Sequence, residues 1–141
     1  MYRFIDHTAD AAVEIVAATR EELLSEAARA LADLLVDDAA SLEAETSFAV
    51  EIAAEDMESL LVDFLNELIF RFDRDAMLPA HARAEMLEVV PDEARARVEI
   101  GGVAYDRDRH SIRTEVKAAT FHDMRIEDTP AGFRTVVVFD L

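Results

Sequence analysis

Cysteine is absent from the 141 residues. That excludes a disulfide scaffold, a thiolate metal site and a cysteine nucleophile. Glycine and proline number three each, too few for a linker-rich or collagen-like chain. Lysine occurs once, at Lys117, and every other basic residue of the Lys+Arg total of 14 is arginine. No apolar run approaches the ~18 residues needed to cross a bilayer. Met1-Tyr2-Arg3-Phe4-Ile5-Asp6 shows no basic n-region followed by an apolar h-region, so no signal peptide and no membrane association are expected, and the cytoplasm is the expected location. A Walker-type glycine loop, GxGxxG, HExxH and the GxSxG elbow are also missing, so nucleotide binding and hydrolase chemistry have no positive support.

What is present is acid and apolar surface. Asp and Glu total 31, giving a formal net charge of −17, while hydrophobic residues make up 52%. The apolar share excludes a disordered acidic tail and is enough for the core of one domain spanning 1–141. The charge opposes strong unaided binding to nucleic acid, because phosphate contacts need Lys and Arg. Two bland origins fit an acidic, Ala- and Arg-rich chain with one lysine. One is a GC-rich genome. The other is a high-salt cytoplasm, where screening over about 3 Å at 1 M makes self-repulsion tolerable.

Hydrophobic periodicity sets out the elements. Tyr2–Ile5 is a short strand candidate, and period 2 over Ala11–Ala17 gives another. Between them, Asp6–Asp10 is polar. Thr19 and Glu22 form a capping box. Leu23, Leu24, Ala27, Leu31, Leu34 and Leu35 then make one helical stripe, predicting a helix over Arg20–Val36. Phe48, Val50 and Ile52 alternate within a strand at Ser47–Ala53. A second helix begins at Glu55-Asp56, with Met57, Leu60, Leu61, Phe64, Leu65, Leu68 and Phe72 as its stripe. From Leu78 the period changes to 2: strands are expected at Ala80–Val90, Arg95–Val103, Ile112–Phe121 and Phe133–Phe139. Gly101-Gly102 suggests a bulge or close backbone approach. Asp106–His110 and Thr129–Gly132 read as turns. Helices followed by segregated strands argue an α+β fold, with two main helices on one face of a mainly antiparallel or mixed sheet.

Three segments could carry chemistry. Asp6-His7-Thr8-Ala9-Asp10 sets two carboxylates around an imidazole and a hydroxyl, groups that bind divalent metals or that bond their own backbone in a polar loop. The chain end Val136–Leu141 closes an apolar strand with Asp140 beside a terminal carboxylate, two anionic groups that repel unless a cation lies between them. The alternative is a strand running into solvent. In Lys117-Ala118-Ala119-Thr120-Phe121-His122, a lone lysine amid arginines suggests a need for a compact ammonium, and His122 could serve as ligand or acid–base group or be structural. On a strand, Lys117 would share a face with Glu115 and Ala119, and that face would be the open one.

At these residues the sequence resembles the archease family. Asp6-His7-Thr8-Ala9-Asp10 is similar to its His-Thr-Ala-Asp signature. Leu61-Val62-Asp63-Phe64-Leu65-Asn66-Glu67-Leu68 looks like its second-helix motif. Lys117–His122 is similar to its Lys-Ala-x-Thr-Tyr/Phe-His strand, and Val138-Phe139-Asp140-Leu141 to its acidic C-terminus. The order is the family's, and only Leu78–His110 carries nothing over. The resemblance implies an archease-like fold and a metal-binding cofactor protein, not itself an enzyme, that helps the RtcB-type tRNA-splicing RNA ligase become guanylylated with GTP and turn over repeatedly, associating with tRNA only indirectly. By the matching positions it implies metal held by Asp10, Asp140 and Leu141, with Lys117 as a further functional residue and the roles of His7 and His122 open. An all-oxygen ligand set suits Ca²⁺ first, with Mg²⁺ and Mn²⁺ as alternatives. An acidic protein would also suit a basic RNA enzyme as partner. Two rival classes stand beside this one: a metal-dependent enzyme using Asp10 and Asp140, and a general chaperone-like binding module.

Overall fold

The computed structural model describes residues 1–5, 10–121 and 123–141. The expectations for Asp6, His7, Thr8 and His122 therefore lie outside the described residues.

Strand β1 (Tyr2–Ile5) pairs antiparallel with β2 (Asp10–Ala17). Helix α1 (Arg20–Leu35) starts where the capping box predicts. The Glu22 N–H donates to Thr19 Oγ1 at 3.1 Å, and Glu22 Oε2 accepts from the Ala18 N–H at 3.1 Å. After a short 3₁₀ turn at Ala39–Ser41 comes β3 (Thr46–Ala54). Helix α2 (Met57–Asp75) is capped by Asp56, whose carboxylate accepts from the Ser59 N–H at 2.7 Å. Both caps satisfy first-turn amides that have no partner within the helix. Strands β4 (Met77–Val90) and β5 (Glu93–Ala104) form a long hairpin. Then follow β6 (Ala118–Thr120), β7 (Glu127–Thr129) and β8 (Gly132–Asp140).

The α+β class and the antiparallel pairing match expectation, but the strands divide between two sheets. One runs β1-β2-β8-β6, with β7 also on β8. The other runs β3-β5-β4. Helix α1 packs on β2 of the first sheet and β4 of the second, and α2 packs on β3, β4 and β5 of the second and β6 of the first. Contact with two sheets explains why α1 is buried on more than one side, at Leu23, Leu24, Ala27, Ala28, Ala30, Leu31, Leu34 and Leu35. Val13 and Ile15 of β2, Val137 and Phe139 of β8, the helix stripes, and Val98 and Ile100 of β5 join in one core.

The Gly101-Gly102 expectation resolves as a close approach. A Cβ on Gly101 would strike the His81 ring, and one on Gly102 would lie 2.7 Å from Met77 Sδ. The β4–β5 register also shifts between Pro79 and His81. One strand is far shorter than its pattern suggested. Of Ile112–Phe121 only Ala118–Thr120 pairs as a strand. The stretch before it is instead tied to the end of α1, where the Asp37 N–H donates to Ser111 O at 2.9 Å and the Arg113 N–H to Leu35 O at 2.9 Å. Those bonds take up backbone groups that a sheet neighbour would otherwise use.

Candidate functional site

The chain's first and last long strands lie side by side, and their register decides the site. In the β2–β8 pair, Asp10 stands opposite Asp140, Ala12 opposite Val138 and Glu14 opposite Val136. On the far side of β8, Ala118 of β6 stands opposite the same Asp140. Alternation sends Val137 and Phe139 inward, where both are fully buried, so Asp140 belongs to the outer face. Asp10 shares that parity relative to Val13 and Ile15. The Asp140 carbonyl accepts from the Lys117 N–H at 2.8 Å, so it faces β6 and not β2. Asp10 and Asp140 are then a non-hydrogen-bonded pair, with Cα atoms about 4.5 Å apart and side chains at their closest. Like charges directly opposite are destabilising in a sheet.

Four residues along β2 from Asp10, the acid at Glu14 is neutralised within the protein. Glu14 is 9% exposed. Its carboxylate accepts from Arg134 Nε at 2.8 Å, pairs with Arg134 Nη2 at 2.7 Å, and lies 3.3 Å from Arg3 Nη2. The hydrogen bond from Arg134 holds the Glu14 carboxyl below its ordinary range, Arg3 adds to this, and burial works against it. Arg134 also approaches Glu127 at 3.6 Å. Glu14 is therefore a structural acid, held by two arginines, whereas Asp10 and Asp140 face each other.

Lys117 sits beside this row and is exposed, while Val116 and Ala119 are buried. The expectation that Lys117 shares an open face with Glu115 and Ala119 is therefore corrected. Lys117 lies just before β6, where strand alternation has not begun, and Ala119 faces the core at 4% exposure. Leu141 follows Asp140 and is 38% exposed.

The sequence reading missed one residue, Asn66 on α2. Its Oδ1 accepts from the Ala119 N–H at 2.8 Å, and its Nδ2 donates to Ala119 O at 3.1 Å. A signal was present: Asn66 is a polar residue one turn from Val62 and Ile69, inside an otherwise buried helix stripe. Asp63, on the same helix, has its carboxyl pushed up by burial.

Chemically, two facing carboxylates on a sheet surface offer hard oxygen donors, which fits a divalent cation of the Ca²⁺ or Mg²⁺ type better than a soft-metal site. Among the described residues, no group of three or more His, Asp or Glu side chains is gathered as a metal cluster. Four clefts of about 110, 310, 310 and 230 Å³ are lined by other residues, and Asp10, Lys117, Asp140 and Leu141 line none of these four. No helix of the described residues is long and apolar enough to cross a membrane.

Comparison with known proteins gives a consistent result. The model of the Archease protein family (MTH1598/TM1083) matches residues 2–141. Protein archease of Methanopyrus kandleri is 44% identical over 141 residues, covering 97% of this chain and 96% of that protein. Protein archease of Archaeoglobus fulgidus is 35% identical, covering 99% and 98%. Among solved structures, the solution structure of Methanobacterium thermoautotrophicum protein 1598 superposes with a TM-score of 0.81 at 32% identity, covering 99% of this chain and 98% of that one. The crystal structure of a Thermotoga maritima archease, described as a possible chaperone, gives a TM-score of 0.57 at 25% identity, covering 97% and 94%.

Proposed function

The chain belongs to the archease family, and on that footing we propose that it is a metal-binding accessory protein that activates an RtcB-type tRNA-splicing ligase, promoting its guanylylation and repeated turnover. The observation that carries the reading is the β2–β8–β6 register. It gathers Asp10, Asp140 and the Lys117 segment from three distant parts of the chain onto one sheet end. Such a row suits a divalent cation, because two carboxylates side by side offer it hard oxygen donors.

Asp10 and Asp140 would hold the ion through their carboxylates, with a main-chain oxygen of Leu141 as the further ligand. Ca²⁺ is the first candidate, with Mg²⁺ and Mn²⁺ as alternatives. The bound ion supplies a point of positive charge on a protein whose net charge is −17. The chain's own residues do the rest. Arg134 and Arg3 neutralise Glu14 further along the same face, and the backbone bond from Lys117 to Asp140 keeps the only ammonium side chain beside the site. That places a cation and a lysine on an exposed surface, suited to meeting a phosphate-bearing or acidic group on a partner. Contact with tRNA would be through the ligase, because the remaining surface repels phosphate.

A general chaperone-like module is the competing reading, given the description that the Thermotoga maritima relative carries. Such a module needs an apolar face to offer, and the helix stripes here are spent in the core, from Leu23 and Leu31 to Leu60 and Leu68, all fully buried. The deciding experiment is a ligation assay with RtcB-type ligase limiting and RNA ends in excess. The expected result is product well beyond one equivalent of ligase only when the protein and a divalent ion are both present. Equal turnover with and without the protein would overturn the reading.

A further inference from the structure

Strand β6 joins the site to the rest of the fold through few bonds. It is three residues long and lies at the edge of its sheet. One row further along, Ala119 stands opposite Phe139. Its N–H and C=O both point away from β8, towards α2, because both are bonded to Asn66. Ala119 is 4% exposed, so these groups need partners within the protein. A single side chain provides both. A primary amide both donates and accepts, which a carboxylate or a leucine in its place would not do. Asn66 thus stands in for the missing neighbouring strand.

The clasp is mounted on a firm base. On α2, Leu65 and Leu68 are fully buried, and Val62 and Ile69 are 1% and 3% exposed. Two residues before Ala119, the Lys117 N–H donates to the Asp140 carbonyl at 2.8 Å. A slip of one residue in β6 would exchange its faces and remove Lys117 from that bond. Three residue pairs with β8 are a weak guard against such a slip. The amide clasp adds two bonds that are specific to Ala119.

We propose that Asn66 is a positioning residue for the site: by clasping Ala119 it fixes the register of β6 and so holds Lys117 against the Asp10–Asp140 row. The consequence for ligase stimulation rests on the function proposed above; the clasp itself does not.

The test uses the full chain with Asn66→Ala, Asn66→Asp, Lys117→Ala and the Asn66→Ala/Lys117→Ala double variant. Amide hydrogen exchange read by NMR comes first. Asn66→Ala is expected to speed exchange at Ala119 by about tenfold or more while Leu65 in α2 keeps its protection, because only a local opening is made easier. Asn66→Asp keeps the acceptor and should show a smaller increase; it also serves if the alanine variant does not fold. Unchanged exchange at Ala119 would overturn the clasp. Ligase turnover comes second. Asn66→Ala should lower stimulation by about tenfold alone and add nothing in the Lys117→Ala background, the non-additivity expected of residues that act through one another. An equal further loss in that background would overturn action through Lys117. If Lys117→Ala leaves stimulation intact, the function proposed for Lys117 fails, and the positioning role with it. The exchange data would still report on the clasp, so the two failures are told apart.

Discussion

Replacing Asp140 with asparagine should make the metal-free protein more stable and the metal-loaded protein less so. The substitution keeps the shape and one acceptor oxygen and removes one of two facing charges. Unit charges about 4 Å apart interact by about 1 kcal/mol in water and by about 4 kcal/mol at a surface-like dielectric of 20. Asp140 is exposed, which favours the lower figure. With about 2.1 cal/mol/K per residue, the 141-residue chain has an unfolding entropy of about 0.3 kcal/mol/K, so 1 kcal/mol is worth about 3 °C of Tm. In EDTA and low salt, Asp140→Asn should therefore melt up to about 3 °C above the parent, with the gap shrinking as salt rises. An ion at one hundred times its Kd stabilises the parent by about 2.7 kcal/mol, or about 9 °C on the same scale. The variant should lose most of that shift, so the order of melting reverses between EDTA and saturating Ca²⁺ or Mn²⁺. Calorimetry or circular dichroism melts of both proteins under both conditions read this directly. A variant that melts below the parent in EDTA, or that keeps the full metal-induced shift, would refute the facing-carboxylate reasoning.

Three further outcomes follow from particular side chains. The Glu14 carboxyl is held low by its hydrogen bond from Arg134, with Arg3 assisting, so its contribution is present above the ordinary Glu range and is lost as pH falls through its lowered folded value. Glu14→Gln should melt below the parent at neutral pH, with the difference closing in acid melts. Asp63 is the opposite case, raised by burial: its ionisation penalises the fold above its raised value. Asp63→Asn should melt higher than the parent at pH 7 and no higher at pH 3. Gly132 adopts φ +143°, and a Cβ there would lie 2.6 Å from Ala18 Cα. Gly132→Ala should cost at least about 1–3 kcal/mol, seen as a fall in urea midpoint without a change in m-value.

The elements whose signals are local were legible in the sequence. Thr19 and Glu22 fix the start of α1, and Asp56 that of α2, because a cap needs only residues within one turn. The alternation in β2, β3, β5 and β8 is likewise local. The division into two sheets was not legible, since period 2 states that a strand has a buried side without naming the sheet it joins. The failure at Ile112–Phe121 has a specific cause. Strand β8 has one side taken by β2 and divides its other side between β6 at Val138–Asp140 and β7 at Gly132–Arg134. A ten-residue neighbour does not fit beside a short β7, and the chain before Ala118 bonds to the end of α1 instead. Asn66 was visible as a polar residue in an apolar stripe, yet its partner, the Ala119 backbone, carries no sequence signal at all.

The candidate site was half legible, and the physics shows which half. Val13 and Ile15 must point inward on β2, as must Val137 and Phe139 on β8, which all four do with no exposure. Given those faces, Asp10 and Asp140 lie on the outer side of their strands whatever the register, because an odd slip would carry the whole apolar set into solvent. Even slips keep the faces, and periodicity does not forbid them. An even slip of β8 would set Asp140 opposite Ala12 and dissolve the acidic row. Three features that depend on the folded chain oppose this. The turn at Gly132 follows β7 and starts β8 against Ala17. The Arg134–Glu14 ion pair forms with Arg134 opposite Val16, and this slip would carry Arg134 away to face Ala18. The Lys117 bond to Asp140 holds the far end, with β6 clasped in turn by Asn66. The meeting of the first and last acids is thus a tertiary property. In sequence it could be inferred only from resemblance, and in the structure it follows from the ion pair and backbone bonds that lock the two-residue choice.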